Sequence, residues 1–209
     1  MKRTILSLSV AATLLFTSCV SNPEGDKAET TDSVAATEVA ADVELPVDIA
    51  KSTLGWTGRK VSGQHNGTVN ITSGKLLLHE GKLSGGNFEF DLNTITVNDL
   101  SGDSKGKLES HLKSPDFFDV ANHPKATFEI TSVTPDTDST ITIAGNLTIR
   151  GVSKNITFQA TTNEVSNTSV VANANFNIAR EDWGVSYAGQ SDDLISKEIN
   201  LDIHLVASK

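Results

Sequence analysis

From residue 51 to the C-terminus, apolar and polar residues alternate along the chain, and this period of two constrains the fold more than any other feature. In 141–149, isoleucine, leucine and glycine alternate with threonine, alanine and asparagine. The same alternation recurs in four further segments, 87–92, 156–160, 170–178 and 199–205. A strict period of two gives a β-strand one apolar and one polar face. The connections are too short for crossover helices, so the strands are predicted to pair antiparallel.

Eight or nine strands that each carry one apolar face must stack as a sandwich or close into a barrel. Closure removes the exposed edges of the sheet. Small residues lie in the middle of the apolar faces, at Gly145, Ala160, Ala172 and Ala174. The interior of an eight-stranded barrel is only just filled by large side chains, so small residues there would leave a cavity. We predict an all-β, antiparallel barrel of about eight strands with a hollow apolar lumen. A sandwich in which phenylalanines fill these positions is the alternative.

One stretch departs from the period of two. Leu108 and Leu112 lie four residues apart and predict a short helix over 107–114, which Pro115 ends. Phe117 and Phe118 follow at once and are expected to plug one end of the barrel. Interruptions that separate one strand from the next are expected at four places: Ser84–Gly86, Pro135–Asp136, Gly151 and Asn163.

The N-terminus has the composition of an export signal. Lys2 and Arg3 precede an apolar run, Ile5–Phe16, which is too short for a permanent transmembrane helix and leads to Cys19, the only cysteine. The segment resembles a bacterial lipoprotein signal, which implies that residues 1–18 are removed and that Cys19 becomes an acylated N-terminus. An ordinary signal peptide with an incidental thiol is the alternative, but an unpaired cysteine suits an oxidising compartment poorly.

The expected location is therefore the cell envelope, with the protein held to a membrane by lipid. Val20 and Ser21 do not give the aspartate-type retention signal of the inner membrane, which favours the outer membrane.

The segment that follows the cysteine differs from the rest of the chain. Between Val20 and Ala50 there are eight acidic residues, one basic residue and no aromatic residue. We predict that residues 19–50 form a disordered, self-repelling tether and that 51–209 form the barrel domain. The chain has a net charge of −9 and no basic stripe, which disfavours a nucleic-acid partner.

Three ordered segments of the barrel domain carry a family resemblance. They are His111–Val120 with His123–Phe128, then Gly145–Lys154, then Phe176–Val185 with its Arg-Glu-Asp-Trp-Gly sequence. Together they resemble the hallmark segments of the YceI-like family. The resemblance covers roughly residues 51–209. The opening strand, Leu54–Lys60, is more polar than the corresponding strand of many members.

The resemblance implies a lipocalin-like antiparallel barrel whose lumen binds a long apolar chain, such as a polyisoprenoid or a fatty amide. Large apolar residues of the alternating runs are the candidates for the lumen: Trp56, Phe88, Phe90, Phe128, Ile143, Leu147, Phe158, Phe176, Leu201 and Ile203. Each could instead be ordinary core. Arg180 is the candidate contact for a polar head group, and a salt bridge with a neighbouring acid is its alternative role.

The chain offers little sign of catalytic or metal chemistry. His111, Asp116, Asp119 and His123 have suitable ligand types, but their spacing matches no zinc pattern. No nucleophile motif is present. We expect a lipid-binding protein that is not an enzyme and that uses no metal or other cofactor.

Two other function classes stay open. One is a structural or interaction protein of the envelope that uses the barrel surface. The other is a lipid hydrolase or isomerase that depends on His111 or Asp116. The sequence leaves open whether the protein forms a homodimer.

Overall fold

The computed structural model of the protein describes residues 20–35 and 39–209. The predicted signal peptide and Cys19 lie outside the described residues. The elements are β1 (Asp26–Lys27), β2 (Glu29–Asp32), β3 (Val43–Pro46), β4 (Thr53–Lys60), β5 (Gly63–His79), β6 (Lys82–Val97), α1 (Gly102–Lys113), β7 (Lys125–Pro135), β8 (Thr140–Ile149), β9 (Val152–Val165), β10 (Ser169–Ala179), a 3₁₀ helix (Arg180–Trp183), β11 (Gly189–Gln190) and β12 (Asp193–Ser208). No helix in this part of the chain combines the length and the hydrophobicity needed to cross a bilayer.

Eight strands form a closed antiparallel barrel. Their order is β4-β5-β6-β7-β8-β9-β10-β12, and β12 pairs again with β4. The register of β8 with β9 sets Ile143 opposite Phe158 and Leu147 opposite Lys154. The all-β barrel with a single short α-helix is therefore confirmed, and the sandwich alternative is wrong. Alternation predicted the strands, because each strand must turn its apolar face to one side, whereas the choice of a barrel over a sandwich rested on closure of the sheet edges and on the small residues.

The two ends of the barrel are built differently. At the lower end, the tight hairpins β5–β6, β7–β8 and β9–β10 close around side chains with no solvent exposure, among them Leu45, Leu78, Val170 and Ala207. At the upper end lie the β4–β5 turn, α1, the β8–β9 turn and the 3₁₀ helix. The connections that carry α1 and the 3₁₀ helix both lie at the upper end.

Some local predictions need correction. Helix α1 begins at Gly102, five residues before the predicted start. The sequence did not indicate these first turns, because they are exposed and carry no apolar spacing. Ser84–Gly86 is not a break but lies inside β6, and Asn163 lies inside β9. A Cβ on Gly85 would come within 2.7 Å of Val39 Cγ2, so this glycine makes room for the N-terminal segment.

Part of the segment predicted as a disordered tether, residues 19–50, forms strands where the structure describes it. Strand β1 pairs parallel with β10, and β2 pairs antiparallel with β9. These two barrel strands pair with each other only over Thr161–Val165 and Val170–Asn173, next to their hairpin. Above it they separate, and the N-terminal segment fills the gap. We call residues 21–32 the strap.

Asparagine side chains on the outer face of the barrel hold the strap. Asn177 Nδ2 donates to the carbonyl of Pro23 at 2.9 Å, and Asn200 Nδ2 donates to that of Glu24 at 2.7 Å. Both asparagines are almost fully buried although their strands turn them away from the lumen. A low content of apolar residues did not prevent ordering here, because the barrel supplies hydrogen-bond partners for the backbone of the strap.

Strand β3 extends the barrel wall at its lower end. It pairs with Lys75–Leu78 of β5, beside the part of that strand that β4 does not reach. Leu45 of β3 is fully buried, and Val47 continues the pairing to Ala207 of β12. The wall therefore begins before residue 51.

Candidate functional site

The barrel encloses a cavity of about 460 Å³. Its volume falls within the usual range of pockets that hold small molecules. All ten side chains predicted to face the lumen line it: Trp56, Phe88, Phe90, Phe128, Ile143, Leu147, Phe158, Phe176, Leu201 and Ile203. Five of them (Phe128, Ile143, Leu147, Phe158 and Phe176) are buried, and the other five are partly buried and pack against the core. The same residues thus serve as core and as cavity wall.

A row of four phenylalanines crosses the lumen. The ring centroids of Phe88 and Phe128 lie 6.3 Å apart, and those of Phe128 and Phe158 lie 5.8 Å apart. Phe158 and Phe176 stack at 4.0 Å, on the two strands that the strap separates. Rings at these distances stabilise one another and form a rigid apolar wall.

The small residues of the apolar faces have two different roles. Ala160, Ala172 and Ala174 line the cavity, as expected for positions that leave space. Gly145 does not, and the expectation of a void there is wrong. A Cβ at this position would lie 2.3 Å from Cζ of Phe128. The space over Gly145 is therefore filled by the Phe128 ring.

Polar groups reach the cavity mainly near its upper end. Arg59 and Lys60 at the end of β4, together with Gln190 and Asp193 across the opening, line it where side chains become solvent-exposed. Lys60 Nζ and Asp193 Oδ2 form an ion pair at 2.6 Å. The hydrogen bond from Lys60 lowers the pKa of the Asp193 carboxyl. The cavity is therefore apolar below and polar at the mouth.

Arg180 lies under this mouth and is 2% exposed. Its Nε donates to the carbonyl of Ser196 at 2.8 Å, and its Nη1 donates to that of Val185 at 2.5 Å. Burial lowers the pKa of the guanidinium, and the charge of Glu181 opposes this shift. Among the described residues no carboxylate forms an ion pair with it, so the salt-bridge alternative is wrong.

The three segments that carry the family resemblance meet above the cavity. Trp183 Nε1 donates to the carbonyl of Leu147 at 2.9 Å, which joins the third segment to the second. Arg150 donates to the carbonyl of Phe117, which joins the second to the first. The Arg180 guanidinium lies 5.6 Å from the centre of the Phe117 ring, which joins the third to the first. The residues that carry the resemblance thus build the roof of the cavity.

The residues considered for metal or catalytic chemistry are not brought together. His111 lines the cavity, and its ring packs 4.7 Å from that of Tyr187. Asp116 is exposed, and His123 lies 4.0 Å from Asp119. In residues 20–35 and 39–209, no three histidine, cysteine, aspartate or glutamate side chains are grouped as metal ligands.

Sequence reasoning missed several residues of the roof. Tyr187 and Leu108 line the cavity, and Trp183, at 1% exposure, is held in the roof by its hydrogen bond to Leu147. Tyr187 lies in a connection without alternation, so no periodic signal marks it. Leu108 lies in the predicted helix, and its spacing gives no sign that it faces the cavity.

Comparisons with known proteins agree with this architecture. A model of the YceI-like domain matches residues 45–207. A UPF0312 protein of Pseudomonas putida is 31% identical over 130 residues, which is 56% of this chain and 68% of that protein. Protein YceI of Escherichia coli O157:H7 is 42% identical over 67 residues, 32% of this chain and 35% of its own length.

Two solved structures share the fold. BcnA of Burkholderia cenocepacia has a TM-score of 0.66 at 19% identity, covering 78% of this chain and 99% of BcnA. A polyisoprenoid binding domain from Saccharophagus degradans has a TM-score of 0.60 at 14% identity, covering 78% of this chain and 97% of that domain. At these identities the likeness concerns the fold alone. The domain match, which spans most of the chain and includes all three resembling segments, identifies this protein as a member of the YceI-like family.

Proposed function

We propose that this protein binds one long apolar chain, of the polyisoprenoid or fatty-acyl type, inside its barrel. The observation that carries the proposal is the cavity itself: below its polar mouth it is lined mainly by aromatic and aliphatic side chains, and its lower end is sealed. Burial of each methylene contributes about 0.8 kcal/mol, so a hydrocarbon chain can be held without specific polar contacts. The likeness to a polyisoprenoid binding domain supports the same class of ligand.

A ligand with one polar end fits this lumen better than a pure hydrocarbon. The hydrocarbon occupies the apolar part, and the head group faces the mouth lined by Lys60, Gln190 and Asp193. Arg180 is the head-group contact in this proposal. Among the described residues no carboxylate forms an ion pair with its guanidinium, and it lines the cavity, so it attracts an oxygen-bearing head group.

The proposed setting is the cell envelope. The signal-like segment that ends at Cys19 supports export and attachment by lipid. In this setting the protein carries or sequesters a lipid that is insoluble in water. No chemical change of the ligand is part of the proposal.

Native mass spectrometry tests the proposal on protein purified from its own envelope, followed by lipid extraction. The expected result is a single adduct per chain, from which extraction releases an apolar lipid. A clean mass without an adduct, under conditions where a control lipocalin keeps its ligand, would contradict the proposal.

A matched pair of variants assigns the adduct to the lumen. Ala160→Phe places a ring into the cavity from β9, whereas Gln159→Phe places one on the exposed outer face of the same strand. The first should lose the adduct and the second should keep it. Because overpacking costs roughly 1–3 kcal/mol, Ala172→Val serves as a milder lumen variant if Ala160→Phe does not fold. An adduct unaffected by both lumen variants would place the lipid outside the barrel.

A further inference from the structure

Two exposed apolar side chains stand together at the mouth of the cavity. Val61, in the β4–β5 turn, is 42% exposed, and Leu194, at the start of β12, is 37% exposed. The backbone N–H of Val61 donates to the carbonyl of Leu194 at 3.0 Å. Each directly follows a member of the Lys60–Asp193 ion pair. We call residues 59–62 and 193–196 the rim.

The N-terminal end of the strap is fixed to the same rim. Arg59 Nη1 donates to Ser21 Oγ at 3.1 Å, and Ser196 Oγ donates to Asn22 Oδ1 at 2.8 Å. Pro23, the next residue, is buried. The first described residues of the chain therefore do not extend away from the barrel but lie beside the opening of its cavity.

The short chain between Cys19 and Ser21 keeps the proposed lipid anchor close to the rim. Cys19 precedes Ser21 by two residues, and consecutive Cα atoms are 3.80 Å apart, so their Cα atoms are separated by at most about 8 Å. An acylated Cys19 thus cannot be the far end of a long spacer. Acylation of Cys19 would therefore bring the rim close to the membrane surface.

We propose that the rim is a membrane-docking surface, with the lipid bilayer as its partner and the strap holding the mouth of the cavity against it. This inference rests on the proposed function for its lipid anchor. Val61 and Leu194 enter the interfacial region, where apolar side chains leave water. An apolar chain can then pass from the bilayer into the lumen without crossing bulk water.

The lower end of the barrel provides a matched control. Ile49 is 51% exposed and Val165 is 38% exposed, so exposure and chemistry are similar, but both lie at the sealed end. Exposed single apolar residues are common on protein surfaces. The inference therefore predicts a difference between the two ends.

The test uses the full chain, recovered from envelopes in detergent and returned to vesicles of phosphatidylethanolamine and phosphatidylglycerol. Single cysteines, Val61→Cys, Leu194→Cys, Ile49→Cys and Val165→Cys, are labelled with an environment-sensitive fluorophore, and the unsubstituted chain gives the labelling background. Lipid-borne spin labels should quench the two rim positions strongly and the two lower positions weakly. Equal quenching at both ends, or stronger quenching below, would overturn the inference.

A second readout addresses lipid uptake. The double variant Val61→Glu with Leu194→Glu should take up a fluorescent prenyl lipid from vesicles roughly tenfold more slowly, whereas Ile49→Glu with Val165→Glu should keep the original rate. An unchanged rate in the rim variant would contradict the docking surface even if the lumen binds lipid. A chain that does not float with vesicles would instead refute the anchor in the proposed function, and the docking surface with it.

Discussion

Phe128 and Gly145 show how single residues set the shape of the cavity. Glycine is required at 145 because the Phe128 ring lies where a Cβ would stand. The ring in turn continues the row from Phe88 to Phe158 across the lumen. A side chain at 145 would push Phe128 toward the space proposed for the ligand.

Gly145→Ala should therefore destabilise the protein by roughly 1–3 kcal/mol, the usual cost of overpacking. Gly58→Ala is the matched control, because Gly58 also lies within a barrel strand but a Cβ there meets nothing within 4 Å. The control should keep or slightly raise the stability. Denaturant unfolding measures both, and equal losses in the two variants would contradict this account of position 145.

Arg180 combines a structural and a proposed binding role. Replacement by methionine leaves the carbonyls of Ser196 and Val185 without their charged donor. We expect a loss of about 2–4 kcal/mol in the free energy of unfolding, since buried unsatisfied groups are costly. Lys197→Met, at an exposed cation that pairs with Glu181, should have little effect.

Arg180→Lys separates the two roles of this side chain. It keeps a positive charge, so it should preserve more of the preference for ligands with an anionic head group than Arg180→Met does. Competition between an anionic and a neutral ligand of equal chain length measures that preference. The same preference in both variants would show that Arg180 contacts no head group.

The strap is the element that could not be predicted from the sequence. Its contacts join residues more than 150 positions apart, such as Asn177 with Pro23 and Asn200 with Glu24. Its composition resembles that of disordered segments, and only the gap between β9 and β10 gives its backbone partners. The barrel, in contrast, could be predicted, because alternation along each strand depends on that strand alone.

Gly25→Ala should detach the strap while leaving the barrel folded. The φ angle of Gly25 is +134°, and a Cβ there would lie 2.6 Å from Asn200 Nδ2. Hydrogen exchange of the Ala28 amide, which donates to the carbonyl of Asn177 at 2.8 Å, should accelerate strongly.

Gly81→Ala is the control for this variant. Gly81 also has a positive φ, +73°, but a Cβ there meets nothing within 4 Å and the residue lies in the β5–β6 hairpin. It should lower the overall stability without a selective effect on Ala28. An unchanged exchange rate of Ala28 in Gly25→Ala would show that the strap tolerates the change.

Three carboxylates of the N-terminal segment should make the folded state sensitive to acid. The pKa of Asp32 is lowered by its hydrogen bond with Lys154, that of Asp42 by the backbone N–H of Glu80, and that of Asp48 by Lys51. A lowered pKa means that each stabilises the folded state above its unfolded pKa of about 3.9, and that this contribution is lost as the pH falls through the lower folded value.

The triple variant Asp32→Asn, Asp42→Asn and Asp48→Asn should therefore lose less stability than the original chain when the pH is lowered from 5 through about 3.9 and below. Unfolding at a series of pH values measures this difference. Parallel pH profiles for the two proteins would show that these carboxylates do not contribute to the stability of the folded state.

The barrel as a unit has a sealed lower end and a polar mouth, and its cavity lies between them. The alternating strands made the wall predictable, and the ten lumen side chains all lie where alternation and the family resemblance set them. The roof was harder to predict from the sequence, because Tyr187 and Trp183 lie outside the regular strands. Their positions depend on contacts between distant segments, such as Trp183 with Leu147.

The central claim is that one apolar chain lies inside this wall, and its dependence on chain length is the most direct test. Calorimetric titration with single-chain lipids of increasing length but one head group should give one site per barrel. The affinity should rise about fifteenfold for every two added methylenes until the cavity is filled, and then level off. An affinity that does not depend on chain length, or binding that exceeds one chain per barrel without saturating, would contradict a ligand held in the lumen.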